Sequence, residues 1–202
     1  YDLALSLVPS DRPTVYAWLA GRSSIGLVVD APKHRWKQYL LNRWAAFDNS
    51  DTHTVNMYLA LAAALGLEQQ RQVIASWSET DAGSARDKLA AAGIRGDYAV
   101  IHPSPKFNYK TWTLQGWQDC GRWLADRGLA VVMTGGLDAA ERDYVSRLSQ
   151  RLPAAANLAG ALSLGETAYL LSRARIYVGP DTAVTHLAAA LGVPVVALYG
   201  PT

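Results

Sequence analysis

The sequence predicts an α/β protein whose second half builds a parallel, Rossmann-like sheet. Two observations carry this. From residue 98 onward, short apolar, β-branched runs alternate with longer runs of helical apolar period. Capping patterns stand where the longer runs begin. Repetition of strand, helix and strand in this manner makes βαβ units. The candidate strands are Tyr98–His102, Leu129–Thr134, Arg175–Gly179 and Val193–Tyr199, with a short one near Asn157–Ala159. Between the first two, Trp117, Cys120, Gly121 and Leu124 share a helix face, and Gly128 caps its end. The next helix opens Asp138-x-x-Glu141 and turns Val145, Leu148 and Leu152 inward. Ser163-x-x-Glu166 opens the third as a capping box. In the fourth, Val184, Leu187, Ala188 and Leu191 form the apolar stripe.

The first 97 residues are less regular. Tyr1–Val8 and Ser24–Val29 read as buried strands, with a short helix over Val15–Ala20 between them. His53 to Leu67 reads as an apolar helix ended by Gly66. Ser76 to Gly96 is polar and mixed, carries a short helix around Ala85–Ala92, and is the expected boundary. A domain of residues 1–97, linker included, is thus expected ahead of one of residues 98–202. The chain opens inside a strand at Tyr1 and stops at Gly200-Pro201-Thr202 straight after another, so a piece of a longer protein is expected.

Composition narrows the function classes. With 202 residues, 50% hydrophobic and 18% charged, the chain can bury a core, and global disorder is excluded. Nineteen basic against seventeen acidic residues leave a net charge of +2, which argues against nucleic acid as a partner. A single cysteine, Cys120, excludes an internal disulfide and a Cys-rich metal site. Apolar runs such as Met57 to Leu67 fall short of the ~18–20 residues that span a bilayer. The glycine fingerprint G-x-G-x-x-G is absent, as are the P-loop, G-x-S-x-G, H-E-x-x-H and C-x-x-C. No D-x-D occurs either, so neither a protein-anchored metal nor a cofactor is expected.

The most informative stretch is Tyr177-Val178-Gly179-Pro180-Asp181-Thr182-Ala183-Val184-Thr185-His186-Leu187-Ala188-Ala189-Ala190. A strand ends, Gly-Pro turns, Asp-Thr caps and a helix begins. Ligands of open α/β sheets bind beyond the carboxyl ends of the strands, and a helix N-terminus suits a diphosphate. Asp181 and Thr182 add a carboxylate and a hydroxyl suited to sugar hydroxyls. His186, one turn into the helix and opposite the apolar stripe, is placed to face the same crevice. The alternative is an Asp181 that only caps the helix and a His186 satisfied inside the protein. A second stretch, Ile101-His102-Pro103-Ser104-Pro105-Lys106-Phe107-Asn108-Tyr109-Lys110-Thr111-Trp112, also follows a strand. Its hydroxyl and lysines suit a phosphate, or else form an ordinary solvated loop. The third, Thr134-Gly135-Gly136, lets a backbone approach a ligand closely or makes a plain turn. Three such loops on one sheet edge argue for a site more strongly than any one alone.

These residues carry a resemblance. Tyr98 to Thr202 resembles the C-terminal domain of glycosyltransferase family 9, the ADP-heptose:lipopolysaccharide heptosyltransferases and their relatives. The matching strings are His102-Pro103-Ser104 with Lys110-x-Trp112, Thr134-Gly135-Gly136 before an acidic helix start, and Leu162-Ser163-Leu164. The longest is Val178-Gly179-x-Asp181-Thr182-x-x-x-His186-Leu187-Ala188-Ala189-Ala190, running into Ala197-Leu198-Tyr199-Gly200-Pro201-Thr202. The first 97 residues match more loosely, as the later part of the family's first domain. The resemblance implies a GT-B fold, two Rossmann-like domains facing across a cleft, and inverting, metal-independent sugar transfer from a nucleotide-diphosphate sugar. It places Lys110 and Ser104 at the diphosphate, Lys110 stabilising the leaving group, and Asp181 at sugar hydroxyls. The amides of Thr182 and Ala183 would hold phosphate, His186 and Gly135 would line the pocket, and Leu162 would lie near the base. Glu141, or alternatively Asp138, would meet the ribose. Ala183 stands where many members have glycine. The family's general base is an aspartate after the first strand of its first domain, so it is expected outside this sequence.

The basic, aromatic stretch Lys33, His34, Arg35, Trp36, Lys37 and Arg43 has no acid between Asp30 and Asp48. Lys33, Arg35 and Lys37 are candidates to hold a phosphorylated or carboxylated lipid-sugar acceptor, or else form a solvated helix face. The expected partners are a nucleotide-diphosphate sugar, for which ADP-heptose is the family's best-known example although relatives use others, and a lipid-linked or polysaccharide acceptor. The expected location is the bacterial cytoplasm, with peripheral contact at the cytoplasmic face of the inner membrane. Two alternatives stand beside a glycosyltransferase. One is a nucleotide-binding module or catalytically incomplete fragment; the other, a Rossmann oxidoreductase, is disfavoured by the missing glycine fingerprint.

Overall fold

The computed structural model describes residues 1–48, 50–105 and 108–200. It divides into two compact units, Tyr1–Gln72 and Val73–Thr202. In the first, strand β1 (Leu3–Ser6) leads through helix α1 (Asp11–Ala20) to β2 (Ser23–Val29). A 3-10 turn (Pro32–His34) and α2 (Arg35–Leu40) then lead to β3 (Arg43–Phe47), and α3 (Thr54–Ala64) follows. The strands form a parallel sheet in the order β1-β2-β3. Ile25 and Leu27 of β2 pack with Met57 and Leu61 of α3. On the other face, a side chain at Gly26 would press on Leu41 and Ser6.

Three differences from the sequence reading fall in this unit. Helix α1 starts at Asp11, before Val15, because Pro13 sits in its first turn, where no amide donor is needed. Strand β1 is an edge strand, with Leu3 and Leu5 41% and 47% exposed, and is not buried. The basic stretch also hides β3, whose Arg43 and Trp44 are exposed and so lack an apolar signature.

The second unit holds α4 (Glu79–Ala91), β4 (Tyr98–Ile101), α5 (Leu114–Ala125), β5 (Ala130–Met133), α6 (Ala139–Arg151) and β6 (Ala156–Asn157). It continues with α7 (Leu164–Ser172), β7 (Ile176–Pro180), α8 (Ala183–Ala190) and β8 (Val195–Leu198). Its five parallel strands run β6-β5-β4-β7-β8. This is the doubly wound order, which reverses direction between β4 and β7. Alternation along the strands sorts the core onto two faces. Tyr98, Val100, Val132 and Tyr177 pack with Leu170, Leu171 and Ala188 of α7 and α8. Ala99, Ile101, Val131 and Met133 pack with Trp117, Leu124, Val145 and Leu148 of α5 and α6. A strand covered on both faces reads as a continuous apolar run, so these strands stand out in the sequence.

Helix α4 belongs to this unit, although the sequence placed residues 76–96 in a linker. Ser78 and Asp81 close a capping box at its start, six residues ahead of the expected Ala85. Asp81 also accepts from the Ser163 hydroxyl at 3.0 Å, at the N-cap of α7. Deeper along the helix pair, the buried Glu166 carboxylate takes the Lys88 ammonium at 2.6 Å and the Ser84 hydroxyl. Lys88 reaches on to the Ala161 carbonyl at 2.7 Å. Helix α4 therefore braces the loop that leads into α7. Among the described residues, no helix is long and apolar enough to cross a membrane.

Candidate functional site

The crevice of a doubly wound sheet opens where the strand order reverses, at the carboxyl ends of β4 and β7. Here it is a cleft of about 530 Å³ within the second unit. Its walls are the loops after β4, β5 and β7 and the start of α7. Ser104, Lys110, Gly135, Glu141, Leu162, Asp181, Thr182 and Ala183, all singled out from the sequence, line it. His186 does not. It lines an adjoining apolar hollow of about 450 Å³, and its ring nitrogen lies 3.4 Å from Asp181.

The centre of the cleft is an ion pair across the switch point. Lys110, in a 3-10 turn (Asn108–Lys110) after β4, meets Asp181, just past β7, at 2.5 Å. Both side chains are partly buried, 21% and 30% exposed. Hydrogen bonding to Lys110 holds the Asp181 carboxyl below its usual range, with His186 adding a smaller pull. The same bond raises the Lys110 pKa. Asp181 is not the helix cap: Thr182 is, its hydroxyl accepting from the Thr185 amide at 3.4 Å. That leaves the Asp181 carboxylate to face the cleft. The amides of Ala183 and Val184, in the first turn of α8, have no intrahelical acceptor and border the same space.

The turn itself is pinned from beneath. Buried Tyr177 bonds the Thr185 hydroxyl at 3.0 Å, and Thr185 donates to the Pro180 carbonyl at 2.5 Å. Gly179 is required there, because a side chain would collide with the Tyr177 hydroxyl. Burial pushes the Tyr177 pKa up, so the phenol stays protonated.

The paired glycines also have distinct jobs. A Cβ at Gly136 would come within 2.5 Å of Glu141, whose carboxylate instead accepts the Gly136 amide at 2.6 Å. Gly135 packs against Ala159. Asp138 caps α6, accepting from Ala140 at 2.8 Å and Glu141 at 3.3 Å. It borders a neighbouring hollow of about 620 Å³ and not the cleft, so of these two acidic residues Glu141 is the one that lines the cleft.

His102 also lines the cleft, and the sequence reading gave it no role. It directly follows β4, is 7% exposed, and shares a 3.0 Å hydrogen bond with Thr134, which directly follows β5. Burial lowers its pKa to about 4, so the ring is neutral at pH 7. Its place at a strand end in the His102-Pro103-Ser104 string was the available signal. Lys106 lies outside the described residues.

The basic stretch of the first unit divides. Lys33 and Arg35 are exposed beside Trp36 and Tyr39. Lys37 is fully buried, its ammonium 2.6 Å from the Pro9 carbonyl and 2.7 Å from Asp11. It secures α2 to the segment entering α1 and presents no charge to solvent, so it leaves the acceptor set.

A GT-B-type chain carries such a doubly wound unit beside a second Rossmann-like one, and both units here have parallel α/β sheets. The family model for glycosyltransferase family 9 (heptosyltransferase) matches residues 1–202. The chain belongs to glycosyltransferase family 9. It is 38% identical over 122 residues to lipopolysaccharide heptosyltransferase 1 of Pseudomonas aeruginosa, covering 60% of this chain and 34% of that one. Over 153 residues it is 29% identical to an Escherichia coli lipopolysaccharide heptosyltransferase 3, covering 74% and 45%. The chain thus spans less than half the length of these curated relatives. The solved E. coli heptosyltransferase WaaC with ADP shares its fold, with a TM-score of 0.73, 24% identity, and coverage of 100% of this chain and 63% of that one.

Proposed function

We propose that this chain is the donor-binding part of an inverting, metal-independent glycosyltransferase that moves heptose from ADP-heptose onto a lipopolysaccharide-core acceptor. The observation that carries the reading is the Lys110–Asp181 pair at the switch point, beside the free amides of α8. The relatives are lipopolysaccharide heptosyltransferases, and the matched WaaC structure was solved with ADP, which supports a nucleotide-sugar donor.

In this reading the diphosphate sits at the α8 N-terminus, with Lys110 and Ser104 as its side-chain partners. Asp181 takes sugar hydroxyls, Glu141 the ribose, and Leu162 packs near the base. His186, one hollow away, acts through Asp181. An acceptor hydroxyl attacks the anomeric carbon on the face opposite the diphosphate. The bond to the diphosphate oxygen breaks, and that oxygen leaves with the electron pair. Lys110 and the helix dipole stabilise the charge that develops. A base outside residues 1–202 takes the acceptor proton. The reaction takes place at the cytoplasmic face of the inner membrane, with Lys33 and Arg35 facing an anionic acceptor.

Calorimetric titration of the chain with ADP and UDP tests the donor class. Saturable ADP binding that is weakened in Lys110→Ala supports the reading, whereas no nucleotide binding by the unaltered chain overturns it. In the complete enzyme, turnover unchanged by EDTA checks metal independence, and the product's anomeric configuration checks inversion. A Lys110→Ala enzyme with normal turnover would sink the assigned role of that lysine.

A further inference from the structure

We propose that the Lys110–Asp181 ion pair is an exchange switch that makes the site prefer a sugar-bearing donor over the free nucleoside diphosphate it becomes. The proposal rests on the donor-binding reading above. Lys110 gives its ammonium to one Asp181 oxygen at 2.5 Å, and the other oxygen lies 3.4 Å from His186. The cleft therefore meets a polyanion with the Lys110 ammonium already engaged. Thr182, not Asp181, caps the helix, so no backbone amide in that cap holds the carboxylate.

A diphosphate that takes Lys110 leaves one Asp181 oxygen without its ammonium in a partly buried place, close to a second anion. Free nucleoside diphosphate has nothing to put there. A nucleotide sugar does, because its hydroxyls donate to the vacated carboxylate oxygen. Binding of the whole donor satisfies both members of the broken pair, whereas binding of the product satisfies only one. After transfer, with the sugar gone, re-formation of the pair favours release of the diphosphate. A lysine that merely bridged carboxylate and phosphate with its three donors would give no such preference.

Titration calorimetry with ADP and with ADP-heptose on the wild-type chain, Asp181→Asn, Lys110→Gln and the double variant separates these cases. Asp181→Asn is expected to bind ADP roughly tenfold tighter, because Lys110 is then free, and to lose preference for the sugar-bearing ligand. With Lys110→Gln in place, the same Asp181→Asn change is expected to raise ADP affinity less than about threefold, since only carboxylate–phosphate repulsion remains to be relieved. Unchanged or weaker ADP binding by Asp181→Asn overturns the proposal while leaving the donor site standing. An equal gain with and without Lys110 does the same. Failure of the wild-type chain to bind either ligand overturns the donor-site reading itself. Thermal melts confirm folding, and Asp181→Ser supplies the same readout if the asparagine variant does not fold.

Discussion

At the scale of single residues, the same amino acid does opposite work in the two units. Lys110 is poised at a cleft and held by one carboxylate. Lys37 is sealed inside, between a carbonyl and a carboxylate. Lys37→Met keeps the apolar stem and removes the ammonium, so it is expected to cost about 2 kcal/mol of stability. Urea unfolding measures this, and ADP binding should be unchanged. Lys110→Ala is expected to show the reverse, a melting temperature close to wild type and weakened nucleotide binding. His102 yields a pH prediction. Its pKa falls from 6.5 to about 4 on folding, so the unfolded chain binds the proton more readily between those values. Stability is then expected to decline as pH drops from 6.5 toward 4, by about 3 kcal/mol in full. In His102→Gln that slope should flatten in the same window, as followed by chemical denaturation at stepped pH.

At the scale of elements, the join of α4 to α7 shows what sequence patterns reveal and what they hide. The capping box at Ser163 and Glu166 was legible, because its spacing is local. The second role of each partner was not. Ser163 also donates to Asp81 and Glu166 also takes Lys88 and Ser84, about eighty positions away, and no local pattern encodes such contacts. Strands β4, β5 and β7 were legible for the opposite reason, since burial on two faces leaves little choice of residue, whereas the edge strand β8 was legible from its apolar run alone. Strand β3, with Arg43 and Trp44 turned outward, was not. The cleft residues were found because three loops after strands share one sheet edge; His102 was passed over because it counted as the end of a strand. Glu166 has a carboxyl pKa lowered chiefly by Lys88 and Ser84. Its contribution is complete above the unfolded value of 4.5 and is lost as pH falls through the lower folded value. Glu166→Gln should therefore be less stable than wild type at pH 7 and approach it under acid conditions, which paired melts at both pH values will show.

At the scale of the whole molecule, the division after Gln72 lies in a stretch without helix or strand, residues 67–78, and most of it is exposed. Limited trypsin digestion is expected to cut first at Arg71, inside this stretch, and mass spectrometry will identify the two products. The sequence showed a change of character in this part of the chain but put the boundary too late, because a polar surface helix resembles a linker until its partner is known. The residues lining the cleft fall entirely within the second unit, and the exposed basic pair, Lys33 and Arg35, within the first.

Strand β4 is flanked by β5 and β7, and all four of its residues are buried. In hydrogen–deuterium exchange its amides should be among the slowest in the chain, while the loops that leave β4, β5 and β7 exchange early. A ligand entering the cleft would slow those loops and leave the floor as it was. Substrate preference could then be redrawn in a few short loops by directed evolution, with the slow-exchanging sheet beneath them serving as an unchanged chassis.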